Sequence, residues 1–124
     1  MIPVSKPKII KEDIYEVIKS LKEGWVSSDG PNVLKFEKKF AKFLGKKYCV
    51  AVSSGTAALE IAVKSLNLKK NDQVLIPNFT IISNALAVVR QNLVPVFIEC
   101  NINNWNIDIS DLKKKITRRT KAII

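Results

Sequence analysis

The sequence predicts an α/β fold built on a parallel sheet, and three observations lead there. From Tyr48 onward, short apolar runs alternate with segments of helical periodicity. The runs Tyr48–Val52, Gln73–Ile76 and Val94–Ile98 lack the apolar–polar alternation of a sheet with one wet face, so helices should cover both faces. Turn-forming residues close the first two runs, Ser53-Ser54-Gly55 and Pro77-Asn78, as strand–turn–helix units require.

Ahead of the sheet the residues predict a helical arm, 1–47, followed by an incomplete α/β unit, 48–124. In the arm, Ile14, Val17, Ile18 and Leu21 repeat at i, i+3, i+4 and i+7, with Glu12 and Asp13 suited to the first turn and an end near Gly24. A turn-rich loop, Gly24–Pro31, carries Trp25. A second helix is expected over Asn32–Leu44, with Val33, Phe36, Phe40 and Phe43 on one stripe and Gly45 as its terminator.

The α/β unit should open with a strand at Tyr48–Val52. The helix expected over Thr56–Leu68 is apolar almost all round (Ala57, Ala58, Leu59, Ile61, Ala62, Val63, Leu66) and should therefore be heavily buried. A strand at Gln73–Ile76, a helix at Ile81–Gln91 and a strand at Val94–Ile98 follow. An Asn-rich loop, 101–106, leads to a short helix, Ser110–Ile116, with Ser110 as its N-cap. Lys121–Ile124 opens one more strand. A buried strand runs about 4–8 residues, so this truncated run reads as a piece of a longer protein or as a short sheet edge, the first being favoured.

Composition narrows the chemistry. Without histidine, the chain offers no His general base, triad or metal ligand. Cys49 and Cys100 are too few for a structural zinc site and read as free thiols of a reducing compartment. The four glycines assemble neither a dinucleotide fingerprint nor a Walker-type loop. No metal is expected. The amino-terminal residues lack the basic-then-apolar order of a secretory signal, and the most apolar stretch, Ile81–Val89, is far short of the ~20 residues a membrane span needs. A cytoplasmic protein with no membrane partner is expected. The formal net charge of +10 suits an acidic partner, nucleic acid or a phosphorylated small molecule. The lysines are scattered, however, and no run interleaves them with aromatic residues, so nucleic acid is not expected.

Three local features could carry function. Ser53-Ser54-Gly55-Thr56-Ala57 joins a predicted strand to a helix. Free N–H groups and the positive dipole end there, with the Ser54 and Thr56 hydroxyls, would cradle a phosphate; the alternative is a simple N-cap on a core helix. Phe79, after the next strand, either offers a ring face to a planar ligand or fills the core. Trp25 is either a lid over a site or an anchor for the arm.

These residues, in this order and spacing, resemble the DegT-type pyridoxal-phosphate-dependent sugar aminotransferases, most nearly the perosamine-synthase-like members. The resemblance runs through Ile2–Pro7, Gly24–Ser28, Phe36-Glu37, Val52–Leu59, Asp72–Thr80, Asn84-Ala85, Pro95–Phe97 and Ile116–Ile124. It implies the amino-terminal part of the large domain of a fold-type I pyridoxal-phosphate enzyme. It also implies that Ser54, Gly55, Thr56 and Ala57 bind the cofactor phosphate, that Phe79 stacks on its pyridine ring, and that Gly24, Trp25, Val26 and Ser27 lie at the sugar-nucleotide site. The implied parent enzyme is a homodimer that moves an amino group, usually from glutamate, to a 4-keto-6-deoxy nucleotide sugar. The family's Schiff-base lysine and the carboxylate facing the pyridine nitrogen match no residue of this chain, so no catalytic residue is assigned and the chain alone is expected to be inactive. A non-catalytic phospholigand-binding or assembly module is the alternative.

Overall fold

The computed structural model describes residues 2–3 and 5–124; Met1 and Val4, within the predicted arm, lie outside the described residues. The chain divides into two compact units, Met1–Ala51 and Val52–Ile124.

The first unit holds α1 (Lys11–Lys22) and α2 (Pro31–Phe43). Asp13 Oδ2 accepts the Ile10 N–H at 3.0 Å, tying the first turn of α1, and Pro31 sits in the first turn of α2, where its missing N–H costs nothing. Both helices stop by the same device. Gly24 (φ +79°) and Gly45 (φ +63°) take the left-handed conformation one residue past each cap. The N–H groups of Trp25 and Lys46 then donate back to the carbonyls of Ser20 (2.9 Å) and Ala41 (2.8 Å). The predicted terminators are thus observed.

The expected strand at Tyr48–Val52 is a correction, for the segment joins no ladder. Apolar character makes a run suitable for a sheet, but only a partner makes it a strand. Here the Ala51 N–H is taken by Glu37 Oε1 at 2.8 Å, and Tyr48 and Val50 stay exposed.

The second unit holds α3 (Gly55–Ser65), β1 (Gln73–Pro77), α4 (Ser83–Val89), β2 (Val94–Ile98), α5 (Ile109–Lys115) and β3 (Thr120–Ile123). The strands form one parallel sheet of order β2-β1-β3, with Val74 opposite Pro95 on one side and Ala122 on the other. The chain steps from β1 to one edge and returns across it to the other. Right-handed crossovers, the hand such connections take, then require α4 and α5 to lie on opposite faces. Val74, Leu75 and Ile76 of the central strand are wholly buried. Val74 and Ile76 share one face with Val63 of α3 and with Ala85, Ala87 and Val88 of α4, and Leu75 points to the other. Arg90, at the end of α4, pairs with Glu60 of α3.

Two further expectations need correcting. α3 is apolar as read, yet of its residues only Val63 is buried, while Ala58, Ile61 and Ala62 are exposed. One stripe of the helix, with Val63 buried and Leu59 packed against the same cluster, meets α4 and β1. The α5 cap is Asp108, not Ser110: Asp108 Oδ1 accepts the N–H of Ser110 at 2.7 Å and of Asp111 at 3.3 Å. A carboxylate two residues earlier reaches the first N–H groups with more charge than a hydroxyl brings.

Candidate functional site

The amino end of α3 is built by Ser54, whose extended backbone (φ −163°, ψ 163°) turns the chain into the helix. Its Oγ accepts the Ala57 N–H at 3.2 Å, and its carbonyl accepts the Ala58 N–H at 3.0 Å. The N–H groups of Gly55 and Thr56, first in the helix, have no acceptor within it. A Cβ placed on Gly55 would meet nothing within 4 Å, so the bend is open to a ligand.

Thr56 ties this turn to the start of α4. Its Oγ1 lies 3.0 Å from Ser83 Oγ, and Ser83 is buried. A cleft of about 580 Å³ opens here between Gly55, Thr56 and Leu59 on one side and Ile81 and Ser83 on the other. Its walls are apolar, and its polar groups are the hydroxyl pair and the free helix end. Ser83 carries no signal in the sequence beyond its place near a predicted helix start. The buried Asn84 donates from Nδ2 to Thr80 Oγ1 at 2.7 Å, fixing the turn before α4.

Phe79 follows the carboxyl end of β1 and is 67% exposed as a residue, so it is not a core residue. It lines a second cleft, of about 380 Å³, with Cys100 and Trp105. The Phe79 N–H donates to Cys100 Sγ at 3.3 Å, and the ring meets the Trp105 indole with centroids 5.0 Å apart. Phe79 precedes Ser83 by four residues. The Cα atoms of the two residues therefore lie within about 14 Å of each other.

Asp111 steadies the exit of β2. Its Oδ2 accepts the Glu99 N–H and the Lys115 ammonium, each at 2.8 Å. The Glu99 hydrogen bond foremost, and then Lys115, hold the carboxyl below the ordinary aspartate value. In the first unit, the Gly24–Ser27 turn is held by the Trp25 N–H on the Ser20 carbonyl and by Ser20 Oγ donating to the Trp25 carbonyl at 3.0 Å. Trp25 also packs against the buried Gly30, where an added Cβ would stand 3.4 Å from Trp25 Cβ. Trp25 is thus an internal clasp of its own unit. Among the described residues, no group of three metal-ligating side chains is present, and no helix is long and apolar enough to cross a membrane.

The sheet is parallel, the start of α3 is open, and an exposed aromatic follows β1 at the carboxyl edge, where open α/β sheets collect ligands. The chain belongs to the DegT/DnrJ/EryC1/StrS aminotransferase family, whose profile matches residues 7–124. It is 42% identical over 123 residues to the spore coat polysaccharide biosynthesis protein SpsC of Bacillus subtilis, covering 99% of this chain and 31% of the relative. It is 35% identical over 124 residues to a GDP-perosamine synthase of Vibrio cholerae, covering 100% of this chain and 34% of that one. Among solved structures, E. coli GDP-4-keto-6-deoxy-D-mannose-3-dehydratase with bound hydrated PLP superposes with a TM-score of 0.87 at 31% identity, over 98% of this chain and 32% of that one. The chain therefore spans about a third of the length of the relatives it matches.

Proposed function

We propose that this chain supplies the phosphate-binding turn and ring platform of a pyridoxal 5′-phosphate-dependent enzyme. That enzyme, a cytoplasmic homodimer, moves an amino group from glutamate to a 4-keto-6-deoxy nucleotide sugar. The open turn at Gly55–Thr56 carries the proposal. It offers two unpaired N–H groups and the Thr56 hydroxyl, backed by the buried Ser83 hydroxyl, to an anion. Family membership and a structural relative with PLP bound support it.

Each residue has a physical role. Ser54 fixes the helix end, and Gly55 leaves room for phosphate oxygens beside the backbone. Thr56 adds a hydroxyl, while Ala57, its N–H engaged by Ser54, keeps the turn in shape. Phe79 offers an apolar face for a flat aromatic ring. Gly24, Trp25, Val26 and Ser27, a turn locked by its own hydrogen bonds, contact the sugar nucleotide. When bound, the cofactor supplies an electron sink at the carbon bearing the transferred amino group. The lysine and carboxylate that would drive that chemistry correspond to no residue here, so the chain alone binds without turnover.

Pyridoxine 5′-phosphate tests this, because it lacks the aldehyde that exposed lysines would trap. By equilibrium dialysis the chain should bind it at least about tenfold more tightly than pyridoxine, the margin a charge-assisted phosphate cradle provides. Thr56→Val should narrow that margin. Equal affinity for the two compounds would refute the proposal.

A further inference from the structure

We infer that Trp105 is a positioning residue for Phe79, holding its ring at the carboxyl edge of the sheet in the attitude that receives a ligand's aromatic ring. The inference rests on the reading of Phe79 given above and extends it to the turn that carries Trp105.

The two rings are tilted by 46° with centroids 5.0 Å apart, a favourable geometry for an aromatic pair. Burial does not explain the contact, since Phe79 is 67% and Trp105 60% exposed. The backbone of the Phe79 segment is already pinned to the exit of β2. The Asn78 N–H donates to the Ile98 carbonyl at 2.7 Å, and the Phe79 N–H donates to Cys100 Sγ at 3.3 Å. What remains free is the Phe79 side chain, and Trp105 meets that side chain.

The turn is strained at Trp105. Trp105 has φ +62°, a conformation unfavourable for a bulky residue and easy for asparagine. Asn103, Asn104 and Asn106 surround it, yet the tryptophan occupies the strained position. The frame that enforces this is dense: the Trp105 N–H donates to the Asn101 carbonyl at 2.8 Å, and the Asn101 N–H donates to the Asn106 carbonyl at 2.7 Å. Asn101 Oδ1 and Asn104 Oδ1 accept the N–H groups of Asn103 (2.9 Å) and Asn106 (3.0 Å). A frame that holds an indole against its backbone preference, with one aromatic neighbour in reach, positions that neighbour.

The test compares pyridoxine 5′-phosphate with inorganic phosphate on the wild-type chain, Trp105→Ala and Trp105→Phe, with the Phe79 ring protons followed by NMR. Trp105→Ala should weaken pyridoxine 5′-phosphate about two- to tenfold, the range an aromatic pair supports, and leave inorganic phosphate unchanged. The Phe79 resonances should move toward free-chain values, and Trp105→Phe should restore affinity. If the wild-type chain binds pyridoxine 5′-phosphate but Trp105→Ala binds it equally, the positioning role fails and the proposed function stands. If both ligands weaken in parallel, Trp105 is structural and the inference is wrong. If the wild-type chain does not bind pyridoxine 5′-phosphate, the proposed function falls and takes this inference with it.

Discussion

Ser54 shows how one side chain can serve both stability and binding. Its Oγ caps α3 through the Ala57 N–H, while the Gly55 and Thr56 N–H groups, first in the helix, have no acceptor within it. The two roles separate by substitution. Ser54→Ala should cost about 1 kcal/mol in urea unfolding through loss of the cap. Ser54→Asp restores a cap but places negative charge where a phosphate would sit. It should unfold near the wild-type midpoint and bind pyridoxine 5′-phosphate at least about tenfold more weakly. Equal binding by the two would place the anion elsewhere. The partner hydroxyl, Ser83, illustrates what residue-by-residue reading misses. Thr56 and Ser83 are 27 positions apart, and their 3.0 Å contact exists only because α3 and α4 pack side by side.

At the scale of elements, α5 depends on two carboxylates. Asp108 caps it, held below the ordinary value by the Ser110 hydroxyl and the Ser110 and Asp111 N–H groups. Asp111 ties it to the end of β2 through the Glu99 N–H. Because both values are lowered in the folded chain, their stabilisation is present above the ordinary aspartate value, about 3.9, and is lost as pH falls through the lowered ones. Asp111→Asn should therefore be less stable than the wild type by a constant amount above about pH 5, and the gap should shrink as pH drops further. Chemical denaturation at a series of pH values measures it, and a gap that widened on acidification would contradict the assignment. The elements themselves were unevenly legible. Gly24 and Gly45 announced helix ends because the left-handed turn is a local requirement of the backbone. Gln73–Ile76 and Val94–Ile98 are legible as continuous apolar runs, though only β1 is buried along its centre, β2 lying at the sheet edge. Tyr48–Val52 has the same letters and is no strand, since pairing is not a local property.

The whole molecule displays much apolar surface. Phe36, Phe43, Ile61, Leu66 and Phe97 are each more than 40% exposed, and β2 and β3 form open sheet edges. Surfaces of this kind drive association. The chain should elute well above its 13.9 kDa mass in gel filtration, increasingly so at high salt. A monomer with one cooperative melt would show these faces to be tolerated in water.

The sequence by itself determined the helix stops, the cores of all three strands, the parallel α/β class and the Ser54–Ala57 turn with its family resemblance. The helix stops and strand cores follow from rules that act within a few residues, and the fold class and resemblance from the order and spacing of motifs along the chain. Only the tertiary structure decided that α3 buries a single stripe and that Asp108 rather than Ser110 caps α5. It alone brought Ser83 to Thr56 and Trp105 to Phe79. Burial, pairing and long-range contact depend on which surfaces meet after the chain has turned back on itself, and no short window of residues contains that information.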